Sequence, residues 1–216
     1  MKLRAFLFAS SLSAFAYAQP PLLEVQAVAE TGSMPKGVSI SPDGKHAYVT
    51  NFGQSNGKNI DVYNAETLAH ESTIDVMGNV VESVLSADGK TIYASNFIRN
   101  SVQFIDLASK RVTKEITVGL HPKILVPTAD GQFLFAANWS GQSVSEIEIS
   151  TGKVIRTLPT SGLNPRGMAV TQSGVLYAAN FNGASIDVFK GPDLKDRHTL
   201  PVCQIPRHLS LSPDEK

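Results

Sequence analysis

The fold is decided by a stretch that recurs along the chain, PKGVSISPDGKHAYVTNF at residues 35–52. Further copies occupy residues 80–97, 122–139 and 165–181, and a fifth copy begins at Pro206. Equivalent apolar positions are 42 residues apart, as in Ile60, Val102, Val144 and Ile186. So regular a period predicts a repeat protein in which each unit is one supersecondary element.

Each unit is expected to form four short strands. In the first unit these are Val38–Ile40, His46–Thr50, Ile60–Tyr63 and a fourth strand near Ser72–Val76. The tetrapeptide SPDG at residues 41–44 predicts a turn, because proline presets φ and glycine accepts a positive φ. Short, evenly spaced strands without helical periodicity predict an antiparallel meander.

The period predicts how these meanders assemble. One four-stranded sheet cannot bury both of its faces, whereas sheets stacked radially around an axis can. A period of about 42 residues is typical of a propeller blade, so we predict an all-β propeller; a sandwich with coincidental repeats is the alternative. The expected blades are approximately residues 35–79, 80–121, 122–164 and 165–205, with part of another blade at 206–216.

The repeat resembles a known propeller family. YVTN at residues 48–51, preceded by SPDGK at residues 41–45, is similar to the signature of the YVTN β-propeller repeat family. Later copies are looser, with YASN at 93–96, YAAN at 177–180 and FAAN at 135–138. The resemblance covers nearly all of the chain after the first 18 residues and implies seven blades. It specifies a fold better than an activity, because such propellers host many functions.

Four blades and the start of a fifth predict an incomplete ring. Residues 22–30 match the place of a fourth strand, which would complete the last blade of a closed propeller. We therefore expect an open arc with unpaired edges. Missing C-terminal blades or self-association would cover these edges. A closed four-bladed ring and a pair of associated arcs are the alternatives.

The first 18 residues predict a secretory signal peptide. Lys2 and Arg4 precede an apolar stretch at residues 5–17, and AYA at residues 16–18 is a small-x-small cleavage pattern. A membrane anchor is the alternative, but the apolar stretch is short for a bilayer span. We expect a mature single domain at residues 19–216, periplasmic or secreted, with no membrane span.

Charge and cysteine content narrow the function classes. Basic and acidic residues number 19 each, and two basic residues fall in the signal peptide, so the mature chain carries a formal charge of −2. This balance gives no reason to expect nucleic acid as a partner.

The lone Cys203 cannot form an intrachain disulfide, and we expect it to be buried. The sequence has no haem, phosphate-loop or metal-ligand motif and predicts neither cofactor nor metal.

Equivalent residues of successive blades form rings around a propeller axis. In four of the five repeats the second residue is basic: Lys36, Lys123, Arg166 and Arg207. Val81 occupies this position in the remaining repeat, His121 and His208 lie nearby, and Glu82 is the one acid. We expect a partial positive ring at the channel mouth that binds a small anionic ligand. The alternative is that these are solvated charges at strand ends.

A second recurring feature is an asparagine followed by an aromatic residue after each second strand: Asn51-Phe52, Asn96-Phe97, Asn138-Trp139 and Asn180-Phe181. We expect a structural role, in which asparagine satisfies loop backbone groups and the aromatic ring packs between blades.

The function predicted from these features is an exported, non-catalytic scaffold that binds a small anion or another exported protein. The alternative is an enzyme. PRHLSLSPD at residues 206–214 is similar to a segment of lactonase-type propellers, which open cyclic esters. That resemblance implies that Arg207 and His208 would polarise a carbonyl group and position water.

Overall fold

The structure is a computed structural model that describes residues 25–215. These residues form 16 β-strands in four separate four-stranded antiparallel sheets, each called a blade below. The described residues include no helix that could cross a membrane. The predicted signal peptide, residues 1–18, and the beginning of the predicted leading strand 22–30 lie outside the described residues.

The strands follow one another in chain order. Blades 1 and 2 contain β1 (Pro35–Ile40), β2 (His46–Asn51), β3 (Ile60–Asn64), β4 (His70–Ile74), β5 (Val80–Leu85), β6 (Thr91–Asn96), β7 (Ser101–Asp106) and β8 (Arg111–Thr117). Blades 3 and 4 contain β9 (Pro122–Pro127), β10 (Phe133–Asn138), β11 (Ser143–Glu148), β12 (Lys153–Pro159), β13 (Pro165–Val170), β14 (Leu176–Asn180), β15 (Ser185–Lys190) and β16 (Asp196–Pro201).

Each blade is a four-stranded meander, as the repeat predicts. The first strand of blade 1 begins at Pro35, three residues before the predicted Val38. The fourth strand of blade 1 differs from its predicted bounds, because it ends at Ile74 and not at Val76. The backbone N–H of Val76 donates to Asn59 Oδ1 at 3.1 Å, so a side chain replaces the strand ladder at this point.

The core lies between neighbouring blades. The first strands are adjacent in the order β1, β5, β9 and β13. Ile92, Leu134 and Leu176, which are 42 residues apart on the second strands, are completely buried. Burying one such side chain stabilises the fold by about 1.5–3 kcal/mol. Stacking of the blades therefore supplies the apolar burial that one sheet alone lacks.

The four sheets do not close into a ring, so the predicted open arc is confirmed. Residues 25–30 of the predicted leading strand form no strand. Instead, Ala29 packs against Ala47, Val49 and Tyr63 on blade 1, and the Tyr63 hydroxyl donates to the Glu30 carbonyl at 2.7 Å. This segment covers part of the exposed face of blade 1.

At the other end, the chain leaves the sheet after β16 and runs along blade 4. The backbone N–H of Gln172 donates to the Glu215 carboxylate at 3.0 Å and ties this segment to blade 4. Cys203 lies in this segment and is exposed. The expectation that Cys203 is buried was therefore wrong, because its position falls beyond the last strand of the sheet.

Candidate functional site

A β-bulge at the start of every first strand sets the geometry of the candidate site. In β1, Lys36 and Gly37 together oppose the single residue Thr50 of β2. The same shift of register occurs in the other blades at residues 81–82, 123–124 and 166–167. Bulges re-aim side chains and are frequent next to functional sites. Here, the bulged positions are those of three predicted cations and of Val81 and Glu82.

The bulge of blade 1 is locked to the neighbouring blade. The Thr50 hydroxyl accepts from the backbone N–H of Gly37 at 2.9 Å and donates to the Val81 carbonyl at 2.7 Å. One buried side chain therefore satisfies backbone groups that the bulge removes from the strand ladder and joins two blades.

Each cation of the first strands lies over the aromatic ring that follows the second strand of its own blade. Lys36 Nζ is 5.7 Å from the centre of the Phe52 ring, and Lys123 Nζ is 3.3 Å from the centre of the Trp139 ring. The Arg166 guanidinium is 5.8 Å from the ring of Phe181. Each such contact contributes about 0.5–1 kcal/mol at an exposed site and fixes the position of the charge.

Two cations also reach the aromatic ring of the preceding blade. Lys123 Nζ is 5.8 Å from the Phe97 ring, and the Arg207 guanidinium is 5.3 Å from the Phe181 ring. The result is a continuous series of charges and rings, which we call the cation–aromatic arc: Lys36, Phe52, Phe97, Lys123, Trp139, Arg166, Phe181 and Arg207.

Lys123 shows that the predicted cations are close enough to interact. Burial, followed in order of importance by the positive charges of Arg166, Lys36 and Arg207, lowers the pKa of the Lys123 ammonium to about 8. The structure therefore brings together all four predicted basic residues. Like charges in a partly desolvated recess favour the binding of an anion.

Glu82 is the acid predicted beside this cluster, and its carboxyl group interacts with Arg166. Burial raises the pKa of its carboxyl group to about 7, while a hydrogen bond from the Ser83 backbone and the charge of Arg166 oppose the shift. The carboxyl group lies against Gly37 of blade 1, where a Cβ atom would collide with Glu82 Oε1. A side chain at position 37 would therefore force the Glu82 carboxyl group to move.

A cavity of about 480 Å³ runs along the axis beneath the arc. It is lined by residues of all four first strands, including Lys36, Glu82, Ile124 and Gly167, and by His208 of the fifth repeat. A Cβ atom at Gly167 would lie 2.7 Å from the Arg207 carbonyl oxygen. The fifth repeat therefore begins beside β13, as the next first strand of a propeller would.

The two predicted histidines also lie at the mouth. The His121 ring stacks on Phe97 with 4.2 Å between ring centres, and its Nδ1 is 2.7 Å from Ser140 Oγ. His208 is exposed and lines the axial cavity. Arg166 Nε is buried and has no hydrogen-bond partner within the described part of the chain, so it remains available to a ligand.

A larger cavity, of about 580 Å³, lies among the turns between blades 3 and 4. Its charged residues include Arg156 and Glu146, which are ion-paired with each other at 2.5 Å. Because these charges are already paired, this cavity is a weaker ligand site than the axial mouth. Among residues 25–215, no three His, Cys, Asp or Glu side chains are grouped as a metal site requires.

The asparagines of the Asn-aromatic pairs are completely buried, but their expected role was correct in only one blade. Asn96 Nδ2 donates to the Met77 backbone carbonyl at 2.6 Å and to the side chain of Gln103 at 3.0 Å. In the other blades, the partners are side chains of the third strand, such as Asp61 for Asn51 at 2.7 Å. In blades 1, 3 and 4, the third strand thus carries the polar side chain that accepts from the buried asparagine.

The aromatic rings pack between blades as expected, with 5.6 Å between the centres of Phe52 and Phe97 and 5.1 Å between those of Trp139 and Phe181. Their contacts with cations were missed. The sequence contains a signal for them, because a basic residue precedes an aromatic residue by 15 or 16 positions in blades 1, 3 and 4.

Comparison with known proteins shows the fold. The chain matches no known family model. It resembles hydrazine synthase of Kuenenia stuttgartiensis (TM-score 0.76, 22% identity, 90% of this chain and 57% of that one). It also resembles virginiamycin B lyase from Staphylococcus aureus (TM-score 0.68, 16% identity, 85% and 61%). A functionally unknown protein from Desulfotomaculum acetoxidans is similar too (TM-score 0.67, 22% identity, 85% and 60%).

The two named structures are β-propellers. The described chain is an open arc of a β-propeller. In sequence, this chain is 30% identical to Antigen Lp49 of Leptospira interrogans over 100 residues. The aligned stretch covers 44% of this chain and 22% of the antigen. The chain therefore spans about three fifths of the similar structures and a smaller part of the antigen.

Proposed function

We propose that this protein is an exported, non-catalytic scaffold of the YVTN propeller type that binds an anionic ligand at the cation–aromatic arc. The observation that carries the proposal is the convergence of Lys36, Lys123, Arg166 and Arg207 around one axial mouth. Both the predicted signal peptide and the partial similarity to a bacterial antigen support export.

None of the charges of the arc is neutralised by an ion pair within the described residues. Within residues 25–215, the ion pairs of arginine and lysine involve Arg99, Arg156 and Lys195, all outside the arc. An anion entering the mouth would meet fixed charges and the free Nε–H of Arg166. Charge-assisted hydrogen bonds of this kind are stronger than those between neutral groups.

The lactonase alternative gains no support from the described residues. Arg207 is engaged with the ring of Phe181, and His208 is exposed. Lactone opening would also need an acidic partner, either Glu82 or a residue of further blades, and the cationic group that acts on the carboxyl group of Glu82 is Arg166. The binding function is therefore the better supported one.

Titration with inorganic phosphate tests the proposed site. The chain from Gln19 onward, which contains every described residue, should bind phosphate, and the affinity should fall as salt rises. Replacing Lys123 and Arg166 together by glutamine should weaken binding by about tenfold or more, because two charge-assisted hydrogen bonds are lost. Isothermal titration calorimetry measures both effects.

The matched control removes the same number of positive charges, two, at the opposite end of the blades. Lys45 and Lys90 lie in the exposed turns that follow the first strands, so Lys45→Gln with Lys90→Gln should leave phosphate affinity unchanged. Equal losses in the two double variants would show that binding follows net charge, and the proposed site would then be wrong.

A further inference from the structure

Every loop that leads into a first strand exposes one large apolar side chain. These residues recur every 42 or 43 positions, and their exposed fractions are similar: Met34 (54%), Met77 (61%), Leu120 (53%), Leu163 (49%) and Ile205 (51%). We call this set the apolar rim. Because about half of each of these five side chains faces solvent, packing among the described residues does not account for their apolar character.

Backbone hydrogen bonds hold the apolar rim beside the cation–aromatic arc. The Met34 carbonyl accepts from the N–H of Phe52 at 3.1 Å, and the Leu120 carbonyl accepts from the N–H of Ser140, which follows Trp139, at 3.2 Å. Leu163 has the same relation to the loop that contains Phe181, since its carbonyl accepts from the N–H of Asn182 at 3.1 Å. The rim therefore surrounds the mouth on the same face of the arc.

The opposite ends of the same strands show no such feature. There, the equivalent turn positions are polar: Asp43, Asp88, Asp130 and Ser173. The loops around the cationic mouth therefore carry an exposed apolar side chain where these turn positions carry a polar one. The combination of clustered cations and projecting apolar side chains is an amphipathic surface that fits a membrane interface.

We propose that this face docks on a membrane surface rich in anionic phospholipid, with lipid phosphate groups in the mouth and the apolar rim among the outer acyl carbons. The inference rests on the proposed anion site and names the source of the anion. Anionic lipids attract clustered Lys and Arg residues, and apolar side chains at the same depth add buried area.

The chemistry of the rim favours a lipid over an acidic protein segment. The rim residues are methionine, leucine or isoleucine, and they lie at different distances before the repeat, from Ile205 one residue before Pro206 to Met77 three residues before Val80. Such variation in side chain and position suits a laterally uniform surface that requires no specific shape. Protein interfaces instead concentrate binding energy in aromatic and arginine anchors, whereas the rim residues are aliphatic or methionine.

The chain contains a natural reporter for this test, because Trp139 is its single tryptophan and lies in the arc. The protein from Gln19 onward is mixed with vesicles of phosphatidylcholine containing about one third phosphatidylglycerol, a composition with a negative surface potential. The apolar signal peptide is omitted because it would itself bind lipid. We expect the emission of Trp139 to shift to shorter wavelength, and we expect no shift with pure phosphatidylcholine.

The rim is tested by Leu120→Ser with Leu163→Ser. Flotation with the anionic vesicles should show binding weaker by about tenfold or more, because two inserting side chains are lost. Phosphate affinity in solution should remain unchanged. The matched control is Val112→Ser with Ile155→Ser, two exposed residues of the outer strands β8 and β12, which should bind vesicles as the unmodified protein does.

The outcomes separate this inference from the proposed function. If the rim variant binds anionic vesicles as well as the unmodified protein does, membrane docking is overturned while phosphate binding can still stand. If the protein binds a glutamate-rich peptide and ignores vesicles, the partner is an acidic protein segment and docking is again overturned. If phosphate does not bind, the proposed function fails directly.

Discussion

The two ends of the blades are held together in different ways. At the turn end, Asp43 accepts from Ser41 Oγ at 2.6 Å and from the Lys45 N–H at 3.1 Å, so this turn closes on itself. At the mouth, Thr50 bonds to the next blade, and Asn96 bonds to the loop containing Met77. The turns are therefore local structures, whereas the mouth exists only when blades are stacked.

The two ends also differ in charge. Hydrogen bonds from a serine or threonine two residues earlier lower the pKa values of the carboxyl groups of Asp43, Asp88 and Asp130 at the turns. At the mouth, burial raises the pKa of Glu82 and lowers that of Lys123. The turn end thus stabilises its charges with its own groups, while the mouth leaves charges desolvated and ready for a partner.

The largest effect is expected from removing a buried asparagine at the mouth. Asn180 Nδ2 donates to Ser185 Oγ and Asp187 Oδ2, both at 3.0 Å. Asn180→Ala leaves these buried acceptors with fewer partners, so we expect the free energy of unfolding to fall by about 2–3 kcal/mol. Urea denaturation measures this loss.

Asp130→Ala is the comparison at the turn end. Asp130 is exposed and accepts from Thr128 Oγ1 at 2.6 Å, so water can replace the lost bonds and the stability loss should be smaller. A loss as large as that of Asn180→Ala would show that the turns, and not the stacked mouth, limit the stability of the blades.

The next largest effect is the pH dependence of stability that Glu82 contributes. The folded pKa of Glu82 is about 7, above its ordinary value of 4.5, so its favourable contribution is complete below about pH 4.5 and is lost as pH rises through 7. Glu82→Gln removes this titration. We expect the variant to be more stable than the unmodified protein by about 1–2 kcal/mol near pH 7.5, and nearly equal to it near pH 5.

Asp88→Asn is the matched change at the turn end. Because its pKa lies below 3.8, Asp88 stays ionised from pH 5 to 7.5 and should add no pH dependence there. Lys123 has a pKa of about 8 in the fold, so its contribution changes mainly above this range. A pH-independent difference between Glu82→Gln and the unmodified protein would show that the carboxyl group is ionised throughout.

The sequence predicted the repeated architecture because strand and turn signals are local and recur at a fixed period. SPDG at residues 41–44 predicts its turn from its own residues, and the fully buried Leu134 and Leu176 keep the spacing of the blades. The end of β4 was not predictable in this way, since it depends on a hydrogen bond between Asn59 and Val76.

For the candidate site, the sequence predicted which cations lie in one ring but not how they are held. Ring membership follows from the period, whereas the bulges depend on contacts between strands, as at Thr50. The contact between Lys123 and Trp139 joins residues 16 positions apart, and the sequence signals it only through the recurrence of this spacing in three blades. The raised pKa of Glu82 likewise depends on its burial against Gly37.

The smallest effect tests what fixes the cations of the mouth. A double-mutant cycle of Lys123→Met and Trp139→Leu should give a coupling energy of about 0.5–1 kcal/mol in urea denaturation. Lys123→Met alone also relieves repulsion with Arg166, but the cycle removes that contribution. The matched cycle, Lys114→Met with Phe104→Leu, separates a pair 5.9 Å apart on the outer part of blade 2 and should give a weaker coupling. Equal couplings would mean that the 3.3 Å contact of Lys123 with Trp139 adds no specific attraction, and the mouth cations would then be positioned by the bulges alone.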